Sequence, residues 1–375
     1  MIYAVIGSNF GDEGKGYEVN KLCEMISSKE DDTVVIRTNG GSQAGHTVKL
    51  NDKINHVFHH FGSGTLQLVR TYLSEEFIVN PIVFRDEYKD LQILGNYPLK
   101  LGNAVEYVNS NARITTPYDM IINQALETVR DKDRHGSCGL GINETIVRNE
   151  DKTFSFKVKD IVGRDVEFIS YILNQIKNEY VPKRLKDLNI YDKIDDRTSY
   201  YLIDEDNTIL NRYIEDTLFF ISNVKVKEYD FLNNFNNLIF ENAQGLLLDK
   251  DNKEYYPHVT PTKTGLRYII DILKALKLTD NTLNVIYVSR PYLTRHGAGT
   301  LINELKDKSE LNMNIKEDTT NIQNEWQGTL RYAPLNIVSL TDRIKEDIHS
   351  VSKDISDLNL TLNVDIHMPC CTLSF

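Results

Sequence analysis

The first sixteen residues, MIYAVIGSNFGDEGKG (Met1–Gly16), decide the fold of this chain. The run MIYAVIG is short and apolar and ends in glycine, which is typical of a buried strand. After the loop, Val19, Leu22, Cys23 and Ile26 fall on one face of an amphipathic helix. A strand, a glycine-rich turn and a helix in this order predict a site where backbone N–H groups and a helix N-terminus surround an anion.

The rest of the chain continues to alternate strands with helices. Strands are predicted in residues 32–41 and 362–369, buried strands in residues 237–245 and 284–292, and helices in residues 264–276 and 341–351. This alternation predicts an α/β fold, with a mostly parallel central sheet flanked by helices and ligands at the carboxyl ends of the strands. We interpret the polar stretch 150–235 as a mostly helical excursion within a single domain, 1–375.

Composition limits the kind of partner. The net charge of −11 over 375 residues argues against nucleic acid and against an anionic membrane surface. The sequence contains no apolar run of about 18 residues, so no membrane-spanning helix is predicted. The N-terminus lacks a signal-peptide pattern. The four cysteines, Cys23, Cys138, Cys370 and Cys371, have no metal-ligand spacing. We therefore expect a cytoplasmic protein in a reducing compartment.

The first glycine loop is not a Walker A loop. Gly16 stands where that pattern needs Ser or Thr, and six residues separate Gly7 from Gly14 instead of four. Without a hydroxyl for a metal ion, Asp12 is the hard oxygen ligand in this loop. A carboxylate beside phosphates is tolerable when a cation lies between them. The loop alone is equally compatible with an ordinary tight turn.

A second glycine-rich turn follows the second predicted strand. The stretch RTNGGSQAGHTVKL, residues 37–50, contains Gly45, His46 and Thr47 in succession. A lone histidine is more often structural than catalytic. A histidine that ends a glycine turn opposite a lysine-bearing turn is a better candidate for a group that meets a phosphate.

Taken together, these stretches and five later ones resemble the adenylosuccinate synthetase family. GDEGKG is followed by GGSQAGHTV, and then by HVFHHFGSGTL, GSCGLGI, FENAQGLLLD, YPHVTPT and LTRHGAGT, in the family's order. The order spans nearly the whole chain, which chance does not explain. The resemblance implies the P-loop-NTPase-like fold of that family.

The resemblance also implies a reaction in purine biosynthesis. Such ligases join L-aspartate to C6 of IMP with GTP hydrolysis, through a 6-phosphoryl-IMP intermediate. It implies that Asp12 is the general base and, with the Gly45 carbonyl, a Mg²⁺ ligand. It gives His46 the role of donor to the γ-phosphoryl group and Lys15 that of a cationic phosphate contact.

Further site residues carry over by position. The resemblance places purine contacts at Gln43 and Gln244. At Arg148 it places an arginine that crosses a homodimer interface to the nucleotide phosphate, and an ordinary surface arginine is the alternative. The remaining nucleotide or phosphate positions are Gly11, Glu13, Gly14, Gly16, Thr47, Ser137, Cys138 and Thr260. For Glu13, a structural salt bridge is equally compatible.

The chain departs from the family at the amino-acid and guanine sites. The arginine-rich aspartate loop retains only Thr329 and Arg331. Arg295 is a further candidate, for which a structural role is equally compatible. The guanine-reading segment keeps Asp342 but has Leu340 where the family has lysine, so ATP remains an alternative to GTP. Two rival functions remain: a viral-type synthetase that uses dGMP, and a nucleotide-binding protein without activity. The dGMP-using relatives carry a small residue such as serine at the position of Asp12, which favours IMP here.

Overall fold

The fold is built on the strand, loop and helix that open the chain. The computed structural model describes residues 1–26, 32–49, 55–94, 106–311 and 329–369. Cys370 and Cys371 lie outside these residues. The helices are α1 Lys15–Ile26, α2 Pro81–Ile93, α3 Pro117–Arg130, α4 Ile142–Glu150, α5 Val166–Gln175, α6 Val181–Asp187, α7 Asp196–Ile203, α8 Thr208–Asn223, α9 Arg267–Ala275, α10 Ile337–Ser350 and α11 Ser352–Asp357.

The strands are β1 Ile2–Gly7, β2 Thr33–Arg37, β3 Gly40–Gly41, β4 His46–Lys49, β5 Asn55–Phe58, β6 Arg70–Leu73, β7 Phe77–Val79, β8 Glu106–Val108, β9 Arg113–Ile114, β10 Val224–Val226, β11 Asn237–Gly245, β12 Thr282–Val288, β13 Tyr292–Arg295, β14 Arg331–Pro334 and β15 Thr361–His367. Eight of them form the central sheet in the order β10-β8-β6-β2-β11-β1-β12-β15, and all their pairings are parallel. The α/β fold class predicted from the sequence is confirmed.

Helices cover both faces of the sheet. Alternate side chains of β1 point to opposite faces, and each set packs against different helices. Ile2, Ala4 and Ile6 pack into one buried cluster with residues of α9 and α10. Val5 packs on the other face against α1, in a cluster that includes Val19. This double coverage explains why the strand is an almost continuous apolar run.

Helices α5 to α8 occupy most of residues 166–223, and the chain then returns to the sheet through β10. This arrangement agrees with a helical excursion, while the single-domain assignment remains a prediction. Among the described residues, no helix has both the length and the apolar character that crossing a membrane would take.

Candidate active site

Three neighbouring strands bring the predicted loops together. β2, β11 and β1 are adjacent and parallel, so the turns after their carboxyl ends lie along one edge of the sheet. Gly11 has a φ of +107°, and a Cβ at this position would lie 2.7 Å from Gln244 Cα. Leu247 N also donates to Asn9 O at 2.9 Å. The close packing of these two turns therefore requires glycine at position 11.

The first loop is held from inside by its own charged residues. Glu13 Oε1 accepts hydrogen bonds from the N–H groups of Asn9 and Gly11 at 2.9 and 3.0 Å. Lys15 is the first residue of α1, and its Nζ donates to Gly11 O at 2.5 Å and lies 3.9 Å from Glu13 Oε2. Burial raises the pKa of Glu13 and lowers that of Lys15. In this structure the pair braces the loop, and the phosphate contacts expected of both residues remain predictions.

The second glycine turn brings His46 into a buried array of charged groups. His46 Nδ1 lies 2.5 Å from Glu241 Oε1 and 2.8 Å from Arg37 Nη1. Glu241 also accepts from Ser63 N at 3.0 Å and from Ser63 Oγ at 2.5 Å. Arg37 and Glu241 are paired directly across β2 and β11. The ion pair between neighbouring strands therefore fixes the imidazole.

The short contact with Glu241 places a proton on Nδ1, because the ionised carboxylate can only accept and two lone pairs cannot approach to 2.5 Å. Arg37 Nη1 then lies beside Nδ1 without donating to it and pairs with Glu241 Oε1 at 3.5 Å. Burial and the charge of Arg37 lower the pKa of His46 to about 4, so the free ring is neutral. Although burial alone would raise the pKa of Glu241, the neighbouring His46 and Arg37 lower it. His46 Nε2 is then the remaining ring atom, and it is buried without a hydrogen-bond partner among the described residues.

Gln43 and Gln244 converge beside Gly40. A Cβ at Gly40 would lie 3.3 Å from Gln244 Oε1 and 3.6 Å from Gln43 Nε2. Within the described ranges, both Oε1 atoms are buried and lack a hydrogen-bond partner. Buried amide oxygens without partners are costly, so a ligand that donates hydrogen bonds fits this position.

Asp12 faces a turn that the sequence analysis did not connect with it. Its Oδ2 lies 3.3 Å from His296 Nε2, and its backbone carbonyl accepts a hydrogen bond from Arg290 Nε. The turn at Gly297 packs against Gly136, whose Cβ would lie 2.7 Å from Ala298 N. The GSCGLGI turn therefore reaches the first loop through the residues that follow β13.

Ser137 and Cys138 lie half-buried in that turn. Ser137 Oγ accepts from Asn123 Nδ2 at 3.0 Å, and burial raises the pKa of the Cys138 thiol to about 11. The segment with Thr260 lies nearby, because the rings of His135 and His258 are 5.3 Å apart. Thr260 itself is buried, and its N–H donates to Leu248 O at 2.8 Å. Ser137, Cys138 and Thr260 therefore lie in neighbouring segments, and their phosphate contacts remain predictions.

Arg148 does not fit its predicted role. Its side chain is fully buried between α3 and α4 and forms a two-pronged ion pair with Asp119, at 2.9 and 2.8 Å. Its other hydrogen bonds go to the carbonyls of Phe154 and Ile114 at 2.8 and 2.7 Å. A guanidinium enclosed in this way cannot extend to a second subunit. We correct the expectation: Arg148 is a structural residue of the interior.

Asp342 lies on an exposed face of α10, where its Oδ1 is 3.7 Å from Lys345 Nζ. The next residue, Arg343, donates to Asn9 Oδ1 in the first loop. Helix α10 therefore borders the site, although guanine recognition by Asp342 remains a prediction. Thr47 lies in β4 opposite Val57, and Thr329 is exposed at the start of a described range.

The two candidate arginines for the amino acid lie opposite each other on β13 and β14. Arg295 is buried, with its guanidinium 4.6 Å from the ring centre of Phe10 and its Nη2 donating to His258 O at 3.0 Å. This packing favours the structural role for Arg295. Arg331 is more accessible and holds a carboxylate, that of Glu304.

The oxygen donors expected for Mg²⁺ lie on turns that touch. Asp12 is half-buried and Gly45 is exposed, and a Cβ at Gly16 would lie 3.1 Å from His46 Cβ. No group of three or more His, Cys, Asp or Glu in the described part of the chain could hold a metal by itself. Mg²⁺ usually takes only one or two carboxylates and completes its shell with phosphates and water. One carboxylate and one carbonyl therefore fit this ion.

Sequence reasoning missed Arg37, Glu241, His296 and Arg343. Arg37 and Glu241 carried a usable signal, since both are charged residues at the carboxyl ends of predicted strands. His296 and Arg343 carried none, because their contacts with the first loop join residues hundreds of positions apart.

The fold and this arrangement define an α/β protein with a site built from glycine turns at the carboxyl edge of a parallel sheet. The chain belongs to the adenylosuccinate synthetase family, whose sequence model matches residues 4–332. It is 29% identical over 314 residues to the adenylosuccinate synthetase of Lactobacillus acidophilus, covering 82% of this chain and 66% of the relative. The enzyme of Lactobacillus helveticus is 30% identical over 313 residues, with 81% and 65% covered. The chain thus spans a little under two thirds of the length of these relatives.

Two solved structures share the fold. One is fully ligated adenylosuccinate synthetase from Plasmodium falciparum, with a TM-score of 0.66, 21% identity, and 90% of this chain and 73% of that chain covered. The other is the cyanophage S-2L succinoaminodeoxyadenylate synthetase (PurZ) bound to dGMP and to dATP as an energy donor. Its TM-score is 0.56, with 13% identity, and 97% of this chain and 91% of that chain are covered. At these identities the similarity establishes the fold alone.

Proposed function

We propose that this protein is a ligase that joins L-aspartate to C6 of IMP, with GTP hydrolysis, to give adenylosuccinate. Membership of the family supports the reaction class. The observation that carries the proposal is the buried array of His46, Glu241 and Arg37 beside the loop that bears Asp12. A base and a hydrogen-bonding imidazole on two touching turns suit a phosphoryl transfer to a purine oxygen.

In the first step, Asp12 accepts the N1 proton of IMP. The electron pair of the N1–H bond moves into the ring and makes the 6-oxygen nucleophilic. That oxygen bonds to the γ-phosphorus of GTP as the bond to GDP breaks, which gives 6-phosphoryl-IMP. His296, 3.3 Å from Asp12, and the Arg290 contact to the Asp12 carbonyl hold the base in place.

His46 acts on the phosphoryl group through Nε2. The free ring is neutral with its proton on Nδ1, so donation requires a second proton on Nε2. An anionic phosphate placed at Nε2 favours the doubly protonated ring, which Glu241 already stabilises from the other side. The imidazolium then donates to the oxygen on which charge develops.

The purine is held by Gln43 and Gln244, whose unpartnered amide oxygens accept from the base edge or the ribose. Ser137, Cys138 and Thr260 hold the nucleotide phosphate. Asp12 and the Gly45 carbonyl would hold Mg²⁺, which supplies positive charge to the phosphates when it is bound.

In the second step, the aspartate amine attacks C6 and inorganic phosphate leaves. Arg331 is the residue of this chain best suited to hold the aspartate carboxylate, because a guanidinium binds a carboxylate with two parallel hydrogen bonds. Thr329 precedes the same strand, β14. A homodimer and a cytoplasmic location also remain part of this proposal, without a role for Arg148 at the dimer interface.

Release of inorganic phosphate tests the function. It is measured with IMP or dGMP, with GTP or ATP, and with or without L-aspartate. We expect release that requires IMP, GTP and aspartate together. Release with dGMP and ATP would support the viral-type alternative, and nucleotide binding without aspartate-dependent release would support a protein without ligase activity.

A further inference from the structure

The guanidinium of Arg331 binds a carboxylate of the protein itself, that of Glu304. Arg331 Nε donates to Glu304 Oε1 at 2.8 Å, and Nη2 pairs with Glu304 Oε2. Both N–H groups on this edge of the guanidinium therefore bind one carboxylate. This is the two-pronged arrangement that an amino-acid carboxylate would adopt on the same arginine.

The other edge of Arg331 faces the turn beside Asp12. Nη1 donates to Gly297 O at 3.0 Å and to Gly299 O at 2.8 Å. The residue before Gly297 is His296, which contacts Asp12. Nη1 therefore fixes Arg331 to the turn at Gly297. Because His296 in this turn contacts Asp12, the guanidinium edge that binds Glu304 lies on a residue connected to the proposed reaction site.

We propose that Glu304 is an intramolecular competitor for the carboxylate of the amino-acid substrate and thereby sets the affinity of the enzyme for it. The inference rests on the proposed function, in which Arg331 holds aspartate. One edge of a guanidinium binds one carboxylate in two-pronged fashion, so aspartate must displace Glu304.

The contacts around Glu304 suit an exchange. The side chains of Arg331 and Glu304 are 23% and 39% exposed, and an ion pair open to solvent is weak enough to be replaced. Leu305 N donates to Tyr332 O at 2.8 Å, which keeps the backbone of Glu304 beside β14 when its side chain leaves. The carboxylate therefore remains near the arginine as a competitor at high local concentration.

The apparent affinity for a ligand equals the intrinsic affinity multiplied by the fraction of sites that are available to it. If Glu304 occupies the arginine three quarters of the time, its removal improves aspartate binding about fourfold. Glu304→Gln keeps the size of the side chain and removes its charge. Glu310→Gln is the matched control, because Glu310 lies in the same segment and accepts from the N–H groups of Lys306 and Asp307 instead.

The KM for L-aspartate in phosphate release is measured first. We expect Glu304→Gln to lower it about threefold or more, with the KM values for IMP and GTP unchanged and no effect of Glu310→Gln. Adding Glu304→Gln to Arg331→Leu should bring no gain over Arg331→Leu alone. An unchanged or higher aspartate KM in Glu304→Gln would overturn the inference.

Calorimetric titration separates this inference from the proposed function. L-aspartate is titrated into the wild-type protein, Glu304→Gln and the control Glu310→Gln, each with nucleotides present. A wild-type protein that releases no phosphate with aspartate would contradict the proposed function only. Tighter aspartate binding by Glu304→Gln would still support competition at Arg331, and equal binding would refute it.

Discussion

The orientation of His46 depends on two residues from other parts of the chain. Glu241 and Arg37 are opposite charges paired across β11 and β2, and both contact Nδ1. A buried ion pair needs additional hydrogen bonds to offset its desolvation, and Ser63 supplies two to Glu241. The array is therefore both a structural element of the sheet edge and the support of the imidazole.

Replacement of His46 and Asp12 tests whether these two residues take part in catalysis. We expect His46→Ala and Asp12→Ala each to lower kcat by at least about 10²-fold, as loss of a transition-state donor or a general base should. Phosphate release at saturating substrates measures the effect. His349→Ala, an exposed histidine in the last turn of α10, is the control and should retain activity. Near-normal turnover in either variant would remove that residue from the mechanism.

At the scale of elements, Arg148 and Asp119 join α4 to α3. Both side chains are fully buried, and the guanidinium also binds two backbone carbonyls. We expect Arg148→Ala to lower the free energy of unfolding by about 3–5 kcal/mol, because it leaves a buried carboxylate without its partner. Denaturant unfolding measures the loss, and the exposed Arg212→Ala on α8 should change stability by no more than about 0.5 kcal/mol.

The structural role of Arg148 can also be tested by the nucleotide KM values of Arg148→Ala. A structural arginine should leave the KM values of the nucleotides unchanged in whatever protein remains folded. A variant that stays stable but has a strongly raised nucleotide KM would restore the phosphate-binding role expected from the sequence.

Helix α10 borders the first loop. Asp342 is exposed on this helix, whose neighbouring residue Arg343 contacts the first loop. A carboxylate can accept from both N1–H and the 2-amino group of guanine, whereas adenine offers it only one donor group. We expect Asp342→Asn to raise the KM for GTP at least about fivefold and to leave that for IMP unchanged, each measured by phosphate release. Glu346→Gln, an exposed carboxylate one turn further, is the control, and an unchanged GTP KM would exclude Asp342 from base recognition.

Local sequence predicted the elements that build the sheet edge. β1, α1, β2, β11 and β12 follow from short apolar runs, a helical stripe and glycine turns, and a strand–loop–helix order leaves few alternatives. The side-chain partners could not be predicted in this way. Arg148 looked like a surface residue because its partner Asp119 lies 29 positions away, and nothing local identifies Glu304 as the partner of Arg331. Such pairs are set by the tertiary fold, which local patterns do not encode.

For the whole molecule, the fold is shared by two solved structures that are named as different synthetases. One is an adenylosuccinate synthetase, and the other is a synthetase bound to dGMP and dATP. The overall fold therefore does not select the purine substrate, and the choice falls to the site. Under the proposed function, this choice falls to Asp12.

IMP and dGMP differ in the 2-amino group and the ribose 2′-OH. The 2-amino group is bonded next to N1, from which the proposed base Asp12 takes the proton. His296 and Arg290 contact Asp12 and limit its freedom to move aside. We expect IMP to be preferred over dGMP by at least about tenfold in kcat/KM, which corresponds to about 1.4 kcal/mol of transition-state stabilisation. Competition between the two nucleotides, followed by product analysis, measures the ratio.

Asp12→Ser should narrow the difference in kcat/KM between IMP and dGMP mainly by lowering activity with IMP, because it removes the base and opens space beside N1 at the same time. Equal use of dGMP by the protein with Asp12 intact would mean that the carboxylate accepts a hydrogen bond from the 2-amino group instead of excluding it, and the viral-type reaction would then be the better assignment.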